Sequence, residues 1–221
     1  MKAEIEANLI TIHGATHNGS IVKAKDATIN CHRGTLSSNT AKIKTLEGGT
    51  VHAATVEVDL ALGGAIHAKN VIVHDVRSHL KIYATESVII HNMKGEDNKI
   101  YFDYKQVPTV MKELNFILQD IEDLKEKIEE TKKHSPQLIP DMNKKMLKLK
   151  KMAKKIEESA FDATLEIKEK VQGINLITFS FPKDKFIEFR TRPLMSYTPF
   201  SIEYNNEVAT LNPVGVSVEL E

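Results

Sequence analysis

The sequence predicts a mainly β protein with a helical hairpin. Its parts are a right-handed parallel β-helix of about six short rungs, an antiparallel coiled coil, and a C-terminal β segment that returns to the solenoid. Three observations predict it. A short apolar motif recurs through residues 1–94 at a nearly fixed step. The period changes to heptads over residues 107–172, interrupted by a proline-flanked turn at 134–140. Strand character resumes over residues 173–221, and residues 95–106 read as a linker.

The motif is an apolar residue, a small residue two further on, then two apolar residues three and five beyond that. It reads Ile5-Ala7-Ile10-Ile12, Val22-Ala24-Ala27-Ile29, Leu36-Ser38-Ala41-Ile43, Val51-Ala53-Val56-Val58, Ile66-Ala68-Val71-Val73 and Ile82-Ala84-Ser87-Ile89. Steps of two are strand periodicity, with both members on one face. The odd step between the pairs requires a bend that turns the next strand inward. Copies start 14 to 17 residues apart, and Gly34, Gly49 and Gly64 recur every 15. Such glycines mark corners where backbones approach closely. The small second site places a narrow part of the cross-section there. A step near 15 does not match a six-residue left-handed unit, which favours the right-handed form.

Outward positions carry Lys, Glu, Thr, Asn, Asp and His. His52 and His67 occupy the same repeat position and should stack about 4.8 Å apart on neighbouring rungs. Neutral imidazoles so placed are able to share zinc. The same position holds Glu6, Lys23, Ser37 and Tyr83 elsewhere, so a generic polar surface is the expectation and no metal site is assigned. His74 and His91 are read in the same way. Cys31, two past Ile29, is expected to be a small buried residue.

Val107, Val110, Leu114, Ile117, Ile121, Leu124, Ile128 and Thr131 follow three-four spacing. Pro136 and Pro140 break the run, and Asp141 is a candidate N-cap for its successor. The second seam is Met142, Met146, Leu149, Ala153, Ile156, Ala160, Ala163 and Ile167. Paired in antiparallel order from Thr131–Met142 to Val107–Ile167, the residue numbers total 273 or 274 every time. Each arm would be about 40 Å long at 1.5 Å per residue. The second arm is rich in lysine from Lys144 to Lys155, and the first carries Asp120, Glu122, Asp123, Glu126, Glu129 and Glu130. Ion pairs between the arms are therefore expected in place of a nucleic-acid surface. Leu138, Ile139 and Pro140 at the tip are the candidate protein contact.

Gly173 is expected to end the second helix. Strands are predicted near residues 174–181, 186–190, 200–204 and 214–220, separated by Pro182, Pro193, Pro199 and Pro213. A hairpin ends where it began, so this segment is placed to cap or extend the solenoid, whose ends need covering. The first repeat begins almost at Met1, which suggests a fragment of a longer protein or an end that meets a second copy.

Thirty basic and thirty acidic residues give a formal net charge of +0, so nothing pulls the whole chain toward nucleic acid. One cysteine excludes an internal disulfide framework. No apolar run approaches the ~20 residues that span a bilayer, and the start lacks a signal-peptide core. A cytoplasmic protein without membrane insertion is expected. The candidates for an acidic or metal-dependent enzyme, Asp59, Asp75, His52 and His67, assemble no complete constellation. Catalytic residues, metal and cofactor are therefore assigned as none.

The solenoid copies at Ile66–Val73 and Ile82–Ile89, the exit at His91–Asn98 and the hairpin at 107–172 together resemble the C-terminal region of the flagellar assembly protein A (FapA) family. The resemblance spans nearly the whole chain in architecture. Bactofilins and the C-terminal domain of the division inhibitor MinC also use short-rung β-helices, without the long hairpin. The resemblance implies a bacterial cytoplasmic scaffold linked to flagellar assembly or placement at the cell pole, acting through protein contacts. It transfers no catalytic residue. Family members usually carry a further N-terminal domain, which this sequence lacks. Self-association through solenoid ends, in the manner of a bactofilin-like or MinC-like protein with a cytoskeletal or division partner, is the alternative.

Overall fold

A computed structural model describes residues 4–192, 200–205 and 208–213. In chain order the first strands are β1 (Glu4–Ala15), β2 (Ile21–His32), β3 (Thr35–Ser37), β4 (Thr40–His52), β5 (Thr55–His67) and β6 (Asn70–Val76). They continue as β7 (Leu80–Ala84), β8 (Ser87–Met93) and β9 (Lys99–Phe102). Two helices follow, α1 (Pro108–His134) and α2 (Ile139–Glu157). The chain then forms β10 (Thr164–Val171), β11 (Leu176–Phe181), β12 (Lys185–Arg190), β13 (Phe200–Asn205) and β14 (Val208–Pro213).

The protein is mainly β, a solenoid of about six turns with two helices. Parallel pairing stacks like on like. One column runs Val22, Leu36, Val51, Ile66, Ile82, Ile100 and Ile177. A second runs Ala27, Ala41, Val56, Val71, Val88 and Leu165. Their side chains are buried in one continuous core. Each rung gains two apolar faces of overlap from its neighbours, so nearest-neighbour stacking is the unit of stability.

The motif has a fifth inward site, three residues past the fourth. Leu46, Ala61, Val76 and Met93 occupy it, all fully buried and in register. In the second rung this site holds His32 rather than an apolar residue. That corrects the expectation for Cys31. The bend after Ile29 turns His32 inward, and Cys31 is only partly buried beside it. Burial raises the Cys31 thiol above its ordinary pKa, which keeps it protonated.

The sixth copy also differs from expectation. Val88 and Ile90 are buried, whereas Ser87 and Ile89 are on the opposite face. The corner at Thr85-Glu86 is one residue longer than in the preceding rungs. A one-residue shift in a period-two strand exchanges the faces.

Two corners carry buried polar groups. Thr16 Oγ1 accepts from the Arg33 amide at 2.9 Å and donates to His32 Nδ1, also at 2.9 Å. His32 Nε2 then donates to the Thr50 carbonyl at 3.4 Å, which fixes the neutral tautomer. Further along, Asn98 donates to the Arg77 carbonyl at 2.7 Å and to Asn175 Oδ1 at 2.8 Å. The Asn175 amide donates to Thr191 Oγ1 at 2.9 Å. These side chains satisfy backbone groups where the strand ladder breaks. Gly64, at φ 110°, is required at its corner because a Cβ there would lie 2.5 Å from the Gly49 carbonyl oxygen.

The expected linker 95–106 contains a strand. β9 pairs in parallel with both β7 and β11. The helical segment is also shorter than residues 107–172. α2 ends at Glu157, a short 3-10 turn spans Ser159–Phe161, and β10 pairs in parallel with β8. Ala160, Ala163 and Ile167, assigned to the helical seam, belong to the solenoid core. Ile167 spaces as a heptad residue from Ala163 but also as a strand residue from Leu165, and burial on the rung decides between them. Gly173, at φ 74°, therefore closes a turn between β10 and β11 rather than a helix. The two helices are thus inserted into a solenoid turn whose halves are β9 and β10.

α1 and α2 pack through Leu114, Ile117, Ile121 and Ala153, with Leu149 and Ile156 alongside. α2 begins at Ile139, not at Asp141, since proline is tolerated in a first helical turn and Pro140 sits there. The strand expected near 214–220, and Pro193 and Pro199, lie outside the described residues.

Candidate functional site

One outward column changes character along the rod. Its members are Glu6, Lys23, Ser37, His52, His67, Tyr83, Tyr101 and Thr178, each in register with the next. From His52 onward it is a ladder of rings. The His52 and His67 centroids are 4.7 Å apart, His67 and Tyr83 4.5 Å, and Tyr83 and Tyr101 5.1 Å. The Tyr83 ring lies nearly parallel to both neighbours, at 13° and 11°. Rung spacing imposes these distances, since side chains in register repeat with the strand separation.

His67 Nδ1 lies 2.6 Å from the Gln106 carbonyl oxygen. A carbonyl only accepts, so Nδ1 carries the proton. This bond ties the ladder to the 3-10 turn Tyr104–Gln106 that precedes α1, and Asp103 caps that turn by accepting from the Lys105 amide at 3.0 Å. Lys69 adds a second tie, an ion pair with Glu113 of α1 at 2.8 Å. Burial lowers the pKa of both imidazoles, and at His52 the neighbouring His67 adds to it. At His67 the carbonyl bond opposes the effect. Burial likewise raises Tyr83, helped by Tyr101 and Asp103. His52, His67 and Tyr83 are accordingly held neutral.

Two clefts flank the root of the helices. One, of about 390 Å³, has apolar walls from Val110, Ile117, Met152 and Ile156, with Lys69 and Glu113 at its rim. The other, of about 460 Å³, opens beside Tyr83, Tyr101, Tyr104, Thr178, Lys105 and Asp184.

Most residues singled out in the sequence are not brought together. Asp75 pairs with Lys94 at 2.6 Å, and Asp59 is exposed; both lie on strand segments away from the His52–Tyr101 ladder. The His74 and His91 ring centroids lie 4.5 Å apart on their own column, with the rings tilted by 49°. Among the described residues no group of three or more His, Cys, Asp or Glu is placed to hold a metal. At the tip, Leu138 is 53% exposed, Pro140 is exposed and Ile139 is half-buried. Among the described residues the ion pairs of the arm join neighbours along the chain, Glu122–Lys125, Glu129–Lys132 and Lys154–Glu158, and not residues of opposite helices. Neighbours one turn apart on a helix meet without any partner helix, so α2 presents its lysines from Lys144 to Lys155 to solvent.

Tyr101, Thr178 and Gln106 were missed as site residues. Tyr101 had a signal, because Lys99-Ile100-Tyr101 repeats the Lys81-Ile82-Tyr83 pattern. Fold and site together define a β-solenoid with a helical insertion rooted beside an aromatic ladder. No family model, curated protein or solved structure matches the chain.

Proposed function

We propose that this protein is a non-enzymatic scaffold of the bacterial cytoplasm, of the flagellar assembly protein A type. In this reading a right-handed solenoid displays an antiparallel coiled-coil arm, and the C-terminal β segment returns to cover the solenoid end. The observation that carries the reading is the insertion itself: α1 and α2 leave one turn after Phe102 and the chain re-enters it at Thr164. An arm rooted within a rod is held at both ends by the same rigid element, which suits presentation of a tip to a partner. The exposed Leu138 at that tip supports it, as does the tying of the root by His67 and Lys69. Right-handed crossovers are the rule for parallel strands.

The test is affinity capture from a bacterial lysate, comparing the intact chain with one in which residues 104–162 are replaced by a short Gly-Ser turn. That deletion spares β10. A partner retained by the intact chain, lost with the arm and weakened by Leu138→Glu is the expected outcome. Identical capture by both chains overturns an arm-based scaffold.

A second reading is favoured by the first rung. Ile5 is 47% and Leu9 70% exposed on β1, which pairs only with β2 among the described residues. An open apolar edge is a template for a further strand, so self-association end to end, as in a bactofilin-like or MinC-like assembly, is the alternative. Sedimentation distinguishes the two: mass that grows with concentration and collapses in Leu9→Lys favours self-assembly.

A further inference from the structure

We propose that the outer edge of α2 is a docking surface for the phosphodiester backbone of a nucleic-acid duplex, bound without regard to sequence. Between Met142 and Ile156 the helix carries seven lysines and no acidic residue. All seven lysines are exposed. Lys144, Lys148, Lys151 and Lys155 recur at three-four spacing, which gathers them into one stripe about 16 Å long at 1.5 Å per residue. The stripe lies opposite Leu149 and Ala153, the residues that pack α2 on α1.

The acidic residues of α1 do not neutralise this stripe. Among the described residues the only one of the seven lysines in an ion pair is Lys154, with Glu158 at 3.6 Å. Asp123, Glu126 and Glu130 take the corresponding outer positions of α1, on the side away from its own seam. With helix axes about 8–10 Å apart, the two edges are separated by about 20 Å, against a screening length of ~8 Å at physiological salt. A polyanion on the basic edge is therefore shielded from the acidic one. The formal net charge of +0 adds no background attraction, so binding rests on this edge.

The same residues argue against other occupants. Leu147 and Met152, 56% and 42% exposed, flank the stripe on opposite sides and form no single apolar face for a membrane. α2 has no aromatic residue on which the bases of a single strand could stack. The acidic edge of a second copy would offer only exposed ion pairs, each worth little. A duplex presents one charge per ~1.7 Å, and every lysine that meets a phosphate releases a counterion.

Fluorescence anisotropy on the full chain tests the surface, with a labelled DNA duplex of about 20 base pairs and a salt series. The logarithm of the binding constant should fall against that of salt with a slope of about −3.6, four contacts at about −0.9 each. Replacing Lys144, Lys148, Lys151 and Lys155 together by Gln should weaken binding at least tenfold and flatten the slope; replacing them by Arg should preserve both. Gln and Arg are both good helix formers, so the arm is retained. Gln at Lys25, Lys44, Lys81 and Lys99, exposed on the rungs, makes the same change in net charge and should leave binding unaltered. Equal loss in the two Gln variants, or binding insensitive to salt, overturns the proposal. So does an intact chain that ignores the duplex but binds anionic vesicles, or associates with itself, through the same four lysines.

Discussion

The solenoid and the helical insertion are built on opposite principles of burial. In the rungs from Leu36 to Met93 every inward apolar side chain is essentially sealed, and most are stacked on apolar residues of the neighbouring rungs. In the insertion, α1 buries Val110, Leu114, Ile117, Ile121, Leu124 and Ile128, whereas α2 fully buries only Ala153. A solenoid residue is thus gripped by several columns, and a helical residue by one narrow seam. Local stability follows the density of buried apolar contact. The insertion should open without the rungs, while a weakened rung carries its neighbours with it.

The sharpest way to break that comparison is a matched pair of truncations. Ile66→Ala removes a fully buried side chain from mid-solenoid and is expected to destabilise the whole protein by about 3 kcal/mol. Ile121→Ala removes an equal volume from the seam and should cost about 2 kcal/mol, confined to the helices. Thermal unfolding followed by circular dichroism, together with amide hydrogen exchange, separates the two. Exchange should quicken across all rungs in the first variant and only over residues 108–157 in the second. Uniform quickening in both would show that insertion and solenoid unfold as one unit.

An effect of pH sharpens the contrast because the perturbed histidines lie on the rungs. His32, His52 and His67 all have folded-state pKa values below the ordinary 6.5, each chiefly through burial. Unfolding releases them to bind protons more readily, so their contribution is full above pH 6.5 and is lost as pH falls through the folded values. Urea midpoints should therefore decrease between pH 7.5 and pH 5 and flatten in the His32→Gln and His52→Gln variants. At His67 the same proton disrupts a stack that lies against the root of α1. Hydrogen exchange at residues 108–117 should then quicken before exchange in the rungs. A midpoint that rises on acidification would contradict the assigned neutral tautomers.

What was legible in the sequence divides along the same line. The rungs were readable because a step near fifteen brings identical residue types into register, and no distant contact is needed to see it. The fifth inward site escaped because His32 interrupts its column, and polar residues are masked by a search for apolar ones. The sixth copy was misplaced by the single extra residue at its corner. The insertion was readable as two helices, but its return was not. Ala160, Ala163 and Ile167 satisfy a heptad, and only their burial in the solenoid core, with β10 paired to β8, shows that they serve the rod. The ladder was half visible: His52, His67 and Tyr83 share a repeat position, yet Tyr101 lay in a presumed linker. The hydrogen bond from His67 to Gln106 joins residues 39 apart through a backbone carbonyl, a contact that residue type does not encode.

The smallest expected effect tests how firmly the insertion is rooted. Lys69 and Glu113 form the side-chain ion pair between rung and helix, with side chains 30% and 46% exposed. Solvent screens such a pair, so its coupling should be about 0.5 kcal/mol. A double-mutant cycle with Lys69→Met and Glu113→Gln, read as exchange protection at residues 110–117, measures it without invoking global stability. Loss of a half-exposed pair should leave the thermal midpoint of the rungs unchanged. Coupling above about 2 kcal/mol would mean that the pair is desolvated and the root as rigid as a rung. The helices would then be an extension of the solenoid core, and the division between a sealed rod and a separately opening arm would fail at the point where the two meet.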